Sequence, residues 1–263
     1  MSEDLAMGCR RLVDKVVIVA GASTGIGRAT ALRLAAEGAM LVAASPAQEK
    51  VRIDSLVQEI ESRGGRALGT DFDATDDASV AALIAFTADR CGGIDAVHAN
   101  FADLRVLMTD SDVLTVTDEV LERTLDVNLK GMLRITRHAV PKLLERGGGA
   151  MIYTSSAAAI AAEPVRPCYA MAKAGINALV RHVASGWGQQ GVRANAIMPG
   201  LVITPELRDT MPTDFQAEVL ARGRSPRLGR VEDIAAMVAH LASPDGEWIS
   251  GQSIAVDGGS TVS

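Results

Sequence analysis

The chain has 263 residues, of which 48% are hydrophobic, 22% charged and 3% aromatic. This ordinary globular mixture excludes disordered, collagenous and disulfide-scaffold proteins. Lys plus Arg number 26 against 32 Asp plus Glu, a formal net charge of −6, which argues against nucleic acid as a partner because phosphate binding needs a basic footprint. Cys9, Cys91 and Cys168 form no C-x-x-C pair and read as reduced thiols of a cytoplasmic protein. The apolar run Val16–Ala20 behind Arg10 and Arg11 is too short for an export signal. No stretch reaches the ~18 apolar residues of a membrane span, so no membrane partner is expected.

Val16-Val-Ile-Val-Ala20 is continuously apolar and β-branched, the pattern of a strand covered on both faces. A glycine loop follows, then an Ala/Leu/Arg-rich helix over 26–37 that Gly38 stops. The alternation continues with a strand at 40–44, a helix at 47–63, a strand at 67–72, a helix at 78–90 and a strand at 96–99. A long helical stretch runs from 117 to 146, and Gly147-Gly-Gly149 precedes a strand at 150–154. A helix at 169–189, a strand at 192–198, a helix at 231–241 and a strand at 253–256 close the chain. Strands alternating with helices imply βαβ units with right-handed crossovers. The fold class is therefore α/β: one doubly wound Rossmann-type domain over 1–263, its central parallel sheet flanked by helices, with a substrate lid at 205–227.

Gly21-Ala-Ser-Thr-Gly25-Ile-Gly27 joins the first strand to the first helix. Glycines allow a tight turn and close approach of a pyrophosphate, and the helix N-terminus adds free N–H groups. The spacing is G-x-x-x-G-x-G rather than G-x-G-x-x-G, and a plain glycine-rich turn is the bland alternative. The ribose-reading position, about 20 residues on, carries Ser45-Pro46. No carboxylate stands there to favour NAD(H) and no arginine to favour NADP(H). Lys50 and Arg52 read as a solvated helix face, and the choice leans slightly to NADP(H).

Tyr169-Ala-Met-Ala-Lys173 sets a phenol and an ammonium four residues apart on one helix face. A neighbouring cation draws a phenol with pKa near 10 toward the working range of an acid–base catalyst. Further motifs fall in order around this pair: Ser156 lies thirteen residues before Tyr169, Asn128 stands in Val127-Asn-Leu-Lys-Gly131, Asp73 in Phe72-Asp-Ala-Thr75, and Asn195-Ala-Ile-Met-Pro199-Gly200 is followed by Thr204. Gly251-Gln252 and Val256-Asp-Gly-Gly259 complete the set. With these residues the chain, from Lys15 to Gly259, resembles the classical short-chain dehydrogenase/reductase family, with Ala20 in place of that family's threonine before the glycine loop.

The resemblance implies an NAD(P)-dependent oxidoreductase that passes hydride between nicotinamide and a secondary alcohol or ketone. Its catalytic residues would be Asn128, Ser156, Tyr169 and Lys173. Tyr169 would exchange the proton, Ser156 hold the substrate oxygen, Lys173 lower the phenol pKa and bind ribose hydroxyls, and Asn128 anchor a water. The implied cofactor contacts are Gly21, Ser23, Thr24, Gly25, Ile26, Gly27, Ser45, Asp73, Ala74, Asn100, Tyr169, Lys173, Pro199, Gly200, Val202 and Thr204. A homotetramer with a small-molecule substrate and no metal is expected. The alternatives are a 3-oxoacyl-thioester (acyl carrier protein or CoA) reductase, or a catalytically silent dinucleotide-binding regulator.

The departure from the family pattern lies after the fourth strand, where Ala99-Asn-Phe-Ala102 stands for N-N-A-G. Phe101 there would add bulk beside nicotinamide or substrate. The acidic segment 103–118 reads as a solvated loop, and Glu163 and Arg166 as either substrate contacts or exposed charge. His98, His138, His182 and His240 show no metal-ligand spacing, and Cys168 reads as a packing residue.

Overall fold

In the computed structural model, which describes residues 9–208 and 210–262, strand β1 (Val16–Ala20) is buried along its whole length. Val17 and Val19 enter one core, while Ile18 and Ala20 enter another on the opposite face. This two-sided burial explains why the run is continuously apolar rather than alternating.

The chain continues through α1 (Gly25–Ala36), β2 (Met40–Ser45), α2 (Lys50–Ser62), β3 (Arg66–Asp71), α3 (Asp77–Cys91) and β4 (Ala96–Ala99). Next come α4 (Asp118–Leu125), α5 (Gly131–Glu145), β5 (Gly149–Thr154), α6 (Pro167–Trp187) and β6 (Val192–Pro199). The remainder is β7 (Val202–Ile203), α7 (Pro205–Arg208), α8 (Thr213–Arg222), β8 (Gly229–Arg230), α9 (Val231–Ala242) and β9 (Ser253–Val256). Seven strands form a parallel sheet in the order β3-β2-β1-β4-β5-β6-β9. One core carries Val80 and Leu83 of α3, Met132 and Ile135 of α5, and Ile176 and Val180 of α6. The other carries Leu34 of α1, Leu56 of α2, and Ile234 and Val238 of α9.

The doubly wound architecture expected from the alternation is thus present, with three local differences. Residues 47–49 form a 3₁₀ turn ahead of α2 instead of its first turn. The helical stretch 117–146 is interrupted by a π-helical turn at Asp126–Lys130, which contains Asn128. The segment 205–227 is flanked by the short parallel pair β7–β8 and contains α7 and α8. A π-turn inserts one residue into a helix and marks functional positions more often than chance.

The connections reverse direction between β1 and β4: β1 leads outward to β2 and β3, while β4 leads to β5 and β6. Ala20 is in register with both Ala44 and Ala99, so the three strands end level. Such a switch point opens a crevice beyond the strands' carboxyl ends, where ligands of this architecture bind.

Candidate active site

Strand β1 delivers Gly21 to this crevice with φ +90, and a Cβ there would lie 2.8 Å from the backbone nitrogen of Phe101. A Cβ on Gly27 would sit 1.8 Å from the Gly21 carbonyl oxygen, so neither position accepts a side chain. Ser23 N–H donates to Ser45 Oγ at 3.1 Å, and Ile26 packs against the α1 core. Thr24 takes the extended N-cap conformation, yet its side chain makes no cap bond, and the first turn of α1 has no acidic residue. The positive end of α1 is left open to an anion, with a glycine backbone in front of it. The Thr204 methyl reaches within 3.1 Å of a Cβ position on Gly25, bringing the segment after β6 over the loop. On that segment, Pro199 pairs with Val256 and Val202 with Gly229, and a Cβ on Gly200 would meet Asp257 at 2.9 Å.

Thr154, the last residue of β5, joins this loop to the Tyr–Lys helix. Its hydroxyl donates to Asn100 Oδ1 at 2.8 Å, and Asn100 Nδ2 donates to the Gly21 carbonyl at 3.1 Å. A threonine has one hydroxyl proton, so the 2.9 Å contact with His98 is a donation from Nε2–H. His98 Nδ1 is then bare and buried without a hydrogen-bond partner, and burial pushes the imidazole pKa down to about 3. The Thr154 carbonyl accepts from Lys173 Nζ at 2.8 Å.

Lys173 is fully buried and burial lowers its pKa to about 8. Its carbonyl accepts from Ser155 Oγ at 3.0 Å, and its ammonium lies 5.5 Å from the Tyr169 ring centre. The Tyr169 phenol is raised by burial, against the pull of the nearby Ser156 hydroxyl and Arg166 and with a smaller push from Glu163. The direction is opposite to the lowering expected from Lys173, because the loss of water around the phenol outweighs the favourable charges. Ser156 Oγ also accepts from Ala158 N–H at 3.2 Å. Asn128 is buried in the π-turn, where its Oδ1 accepts from Asp103 N–H at 2.8 Å while Nδ2 has no partner.

Three further expectations, on Phe101, segment 103–118 and Ser45, need correction. Phe101 does not wall the site: its ring is buried in the core, edge-on to Phe72 at 5.4 Å, and closes on Gly131. Segment 103–118 is not simply a solvated loop, since Asp103 and Asp110 are buried. The Asp103 carboxylate accepts from Arg105 and Arg123, which hold it well below the usual range. Ser45 is not an open ribose reader: it is buried, and its hydroxyl pins Ser23. Asp73 binds Thr75 through its carboxylate, which those bonds lower, and buried Ala74 accepts from Arg134 through its carbonyl. Burial pushes the Cys168 thiol up to about 11, which leaves no thiolate nucleophile at neutral pH.

The residues missed from sequence are Thr154, His98, Asp103 and Asp110, together with Arg28. Arg28 lines a hollow of about 390 Å³ with Ser23, Thr24, Arg52 and Glu206. Short-range signals marked none of them, since their roles depend on partners in other elements. Only the position of Thr154 at a strand end, next to Ser155 and Ser156, offered a hint.

A doubly wound fold with a glycine cradle at its switch point, and a Tyr–Lys helix closing over it, defines a dinucleotide-type α/β oxidoreductase site. The profile of a family described as enoyl-(acyl carrier protein) reductase matches residues 21–261. The chain is 31% identical over 252 residues to a 7α-hydroxysteroid dehydrogenase of Bacteroides fragilis, covering 96% of each chain. It is 30% identical to a 3-oxoacyl-(acyl-carrier-protein) reductase of Thermotoga maritima, covering 96% of this chain and all of that one. A solved 7α-hydroxysteroid dehydrogenase complexed with NADH and 7-oxo glycochenodeoxycholic acid superposes with a TM-score of 0.88 at 28% identity, over 95% of both chains. The chain belongs to the short-chain dehydrogenase/reductase family, oxidoreductases acting on hydroxyl and keto groups.

The buried, neutral His98 has a pH signature. Its folded pKa of about 3 lies below the ~6.5 of an unfolded histidine. The unfolded chain therefore binds the extra proton, and stability falls as pH drops through this window. Urea unfolding of the His98→Gln variant should lose about 2 kcal/mol less than wild type between pH 6.5 and 4.5. Parallel losses in the two proteins would contradict the assignment.

Proposed function

We propose that Asn128, Ser156, Tyr169 and Lys173 form the catalytic set of an NAD(P)-dependent oxidoreductase that interconverts a secondary alcohol and a ketone. The observation that carries this reading is the continuity from the Lys173 ammonium through Thr154 and Asn100 to the glycine loop. The bound dinucleotide supplies the hydride donor or acceptor. Gly21, Ser23, Thr24, Gly25, Ile26 and Gly27 cradle its phosphates, a fit supported by the side-chain-free faces of Gly21 and Gly27. Asn100 shapes that cradle through Gly21. Ser45, Asp73 and Ala74 border the adenosine, and Pro199, Gly200, Val202 and Thr204 the nicotinamide end.

During reduction Tyr169 gives its phenolic proton to the substrate oxygen, while Ser156 donates a hydrogen bond to the same atom. A fixed donor aimed at developing negative charge lowers the barrier without reorganisation. Lys173 sits behind the phenol, holds ribose hydroxyls and stabilises the phenolate that remains. Its pKa of about 8 suits a group that takes and returns a proton near neutral pH. The free, buried Nδ2 of Asn128 supports a water on the route that resupplies this proton. The assembled set favours an enzyme over a silent dinucleotide-binding regulator.

Segment 205–227, with α7 and α8 between β7 and β8, serves as a substrate lid within one domain. Leu207, Phe215 and Leu220 on it are partly exposed, fitting an apolar substrate. Full-length similarity to the Thermotoga maritima reductase supports a 3-oxoacyl thioester as the second substrate reading. Leu133 on α5 and Met171 on α6 are exposed apolar residues suited to a homotetramer interface, and the free thiols fit the cytoplasm.

NADP(H) is the preferred cofactor in this proposal. Arg28 and Arg52 share the hollow beside Ser23 and Thr24, with Glu59 paired to Arg28 and Glu49 to Arg52 at 3.2 Å. A 2′-phosphate would exchange these partners for a more charged one.

Two measurements test these statements. Tyr169→Phe should keep NADPH affinity within about twofold and lose 10³-fold or more of turnover, roughly the value of a general acid, on a panel of 7-oxosteroid, cyclohexanone and acetoacetyl thioester. Unchanged turnover would remove Tyr169 from the chemistry. Calorimetry is the suitable binding readout, because Trp187 lies about 27 Å along α6 from Tyr169. In the second measurement, Arg28→Ala with Arg52→Ala should weaken NADPH about tenfold, the scale of one lost charged contact, and leave NADH unchanged. Equal effects on both cofactors, or none, would contradict the preference.

A further inference from the structure

The helix that carries Tyr169 and Lys173 starts without a cap of its own. Arg166 occupies the N-cap position in the left-handed region, with φ 67 and ψ 45, and makes no side-chain cap bond. Pro167 follows at the first helical position and has no N–H to satisfy. Ala170 N–H already donates to the Arg166 carbonyl at 3.0 Å, so the donors left over at this helix end are those of Cys168 and Tyr169. Both go to one residue 58 and 59 positions away. Asp110 Oδ1 accepts from Cys168 N–H at 3.3 Å, and Oδ2 accepts from Tyr169 N–H at 2.8 Å.

The same corner fixes the strained residue. Arg166 N–H donates to the Asp110 carbonyl at 3.0 Å and to the Ser111 carbonyl at 2.8 Å. A non-glycine residue in the left-handed region costs about 1–3 kcal/mol and persists only when its surroundings hold it. Asp110 is itself 3% exposed, so its carboxylate is removed from water except through these bonds. At the other end of the loop, Asp103 N–H holds Asn128 Oδ1. One loop thus touches both the asparagine and the tyrosine of the catalytic set.

We propose that Asp110 is a positioning residue for this reaction: its carboxylate caps the catalytic helix from outside and sets the place of the Tyr169 phenol against Ser156. The proposal rests on Tyr169 being the group that exchanges the proton with substrate. It explains why a second acidic residue besides Asp103 is buried in this loop, and why the helix tolerates arginine at its N-cap. A carboxylate can satisfy two neighbouring N–H groups at once, and at a helix N-terminus it also meets the positive end of the dipole.

The test reads the phenol directly. Tyr153 and Tyr169 are the two tyrosines of the sequence. Tyr153 is buried against Thr136 at 2.7 Å and raised far above the ordinary phenol value, so the tyrosinate transition at lower pH reports Tyr169. The groups around that phenol, Ser156, Arg166, Glu163 and Lys173, are unchanged in the variants. Wild type should titrate above 10. Asp110→Ala should move the midpoint back toward the ordinary phenol value as the phenol leaves its buried seat, and Asp110→Asn, which keeps one acceptor oxygen at the helix end, should stay nearer the wild-type midpoint. Asp110→Leu, which likewise lacks an acceptor, serves in place of alanine if that variant does not fold.

In turnover of the panel ketone that wild type reduces fastest, Asp110→Ala should lose about 100-fold in kcat, the scale of a ~1 Å misplacement. NADPH affinity should stay within about twofold, and Asp110→Asn should restore most of the rate. An unmoved midpoint in Asp110→Ala, or equal shifts in the alanine and asparagine variants, would overturn the proposal. Absence of wild-type turnover on every panel member would instead count against the oxidoreductase reading, while the tyrosinate titration still decides the cap.

Discussion

Thr154 makes the hydrogen bonds on which the geometry of the site depends. Its hydroxyl sits between His98 and Asn100, Asn100 fixes the Gly21 carbonyl, and its own carbonyl holds Lys173. The glycine loop belongs to the end of β1 and the ammonium to α6, and this residue bonds toward both. A threonine at the end of β5 reaches both because parallel strands ending level bring their terminal residues side by side. Threonine suits this position because a hydroxyl donates once and still accepts, and a neutral histidine supplies the donation it accepts.

Some of the polar costs in this protein lie at the site. His98 Nδ1 and Asn128 Nδ2 are buried without partners, and Arg166 is held in a left-handed conformation. Each costs on the order of 1–3 kcal/mol. At this position such costs fit groups whose geometry serves chemistry rather than stability. The π-turn at Asp126–Lys130 belongs to the same group of features, since it sets Asn128 inward while α5 continues beyond Gly131.

The architecture was legible because its signals are local. Val16–Ala20 announced a doubly covered strand, glycines marked its turn, and the four-residue spacing of Tyr169 and Lys173 set them on one helix face. The bracing of the site was not, because it runs between residues far apart in sequence. Asp110 looked like one more loop carboxylate, yet it caps a helix 58 residues away. Phe101 looked like a wall of the pocket, but side-chain direction after a strand end is decided by the space available, here between Phe72 and Gly131. Lys173 was expected to lower the phenol, and the loss of water around Tyr169 proved the larger influence. Ser45 was expected to face a ribose, whereas its hydroxyl is needed by Ser23.

The most direct test of the coupling through Thr154 is calorimetric titration of NADPH into Thr154→Val, with Thr154→Ser as the hydroxyl-retaining control. Valine keeps the backbone carbonyl that binds Lys173 but leaves Asn100 Oδ1 and His98 Nε2 without the hydroxyl between them. If that link shapes the glycine loop, the valine variant should bind about tenfold more weakly, the equivalent of one hydrogen bond of ~1.4 kcal/mol, while the serine variant binds like wild type. Equal affinity in all three proteins would contradict the account.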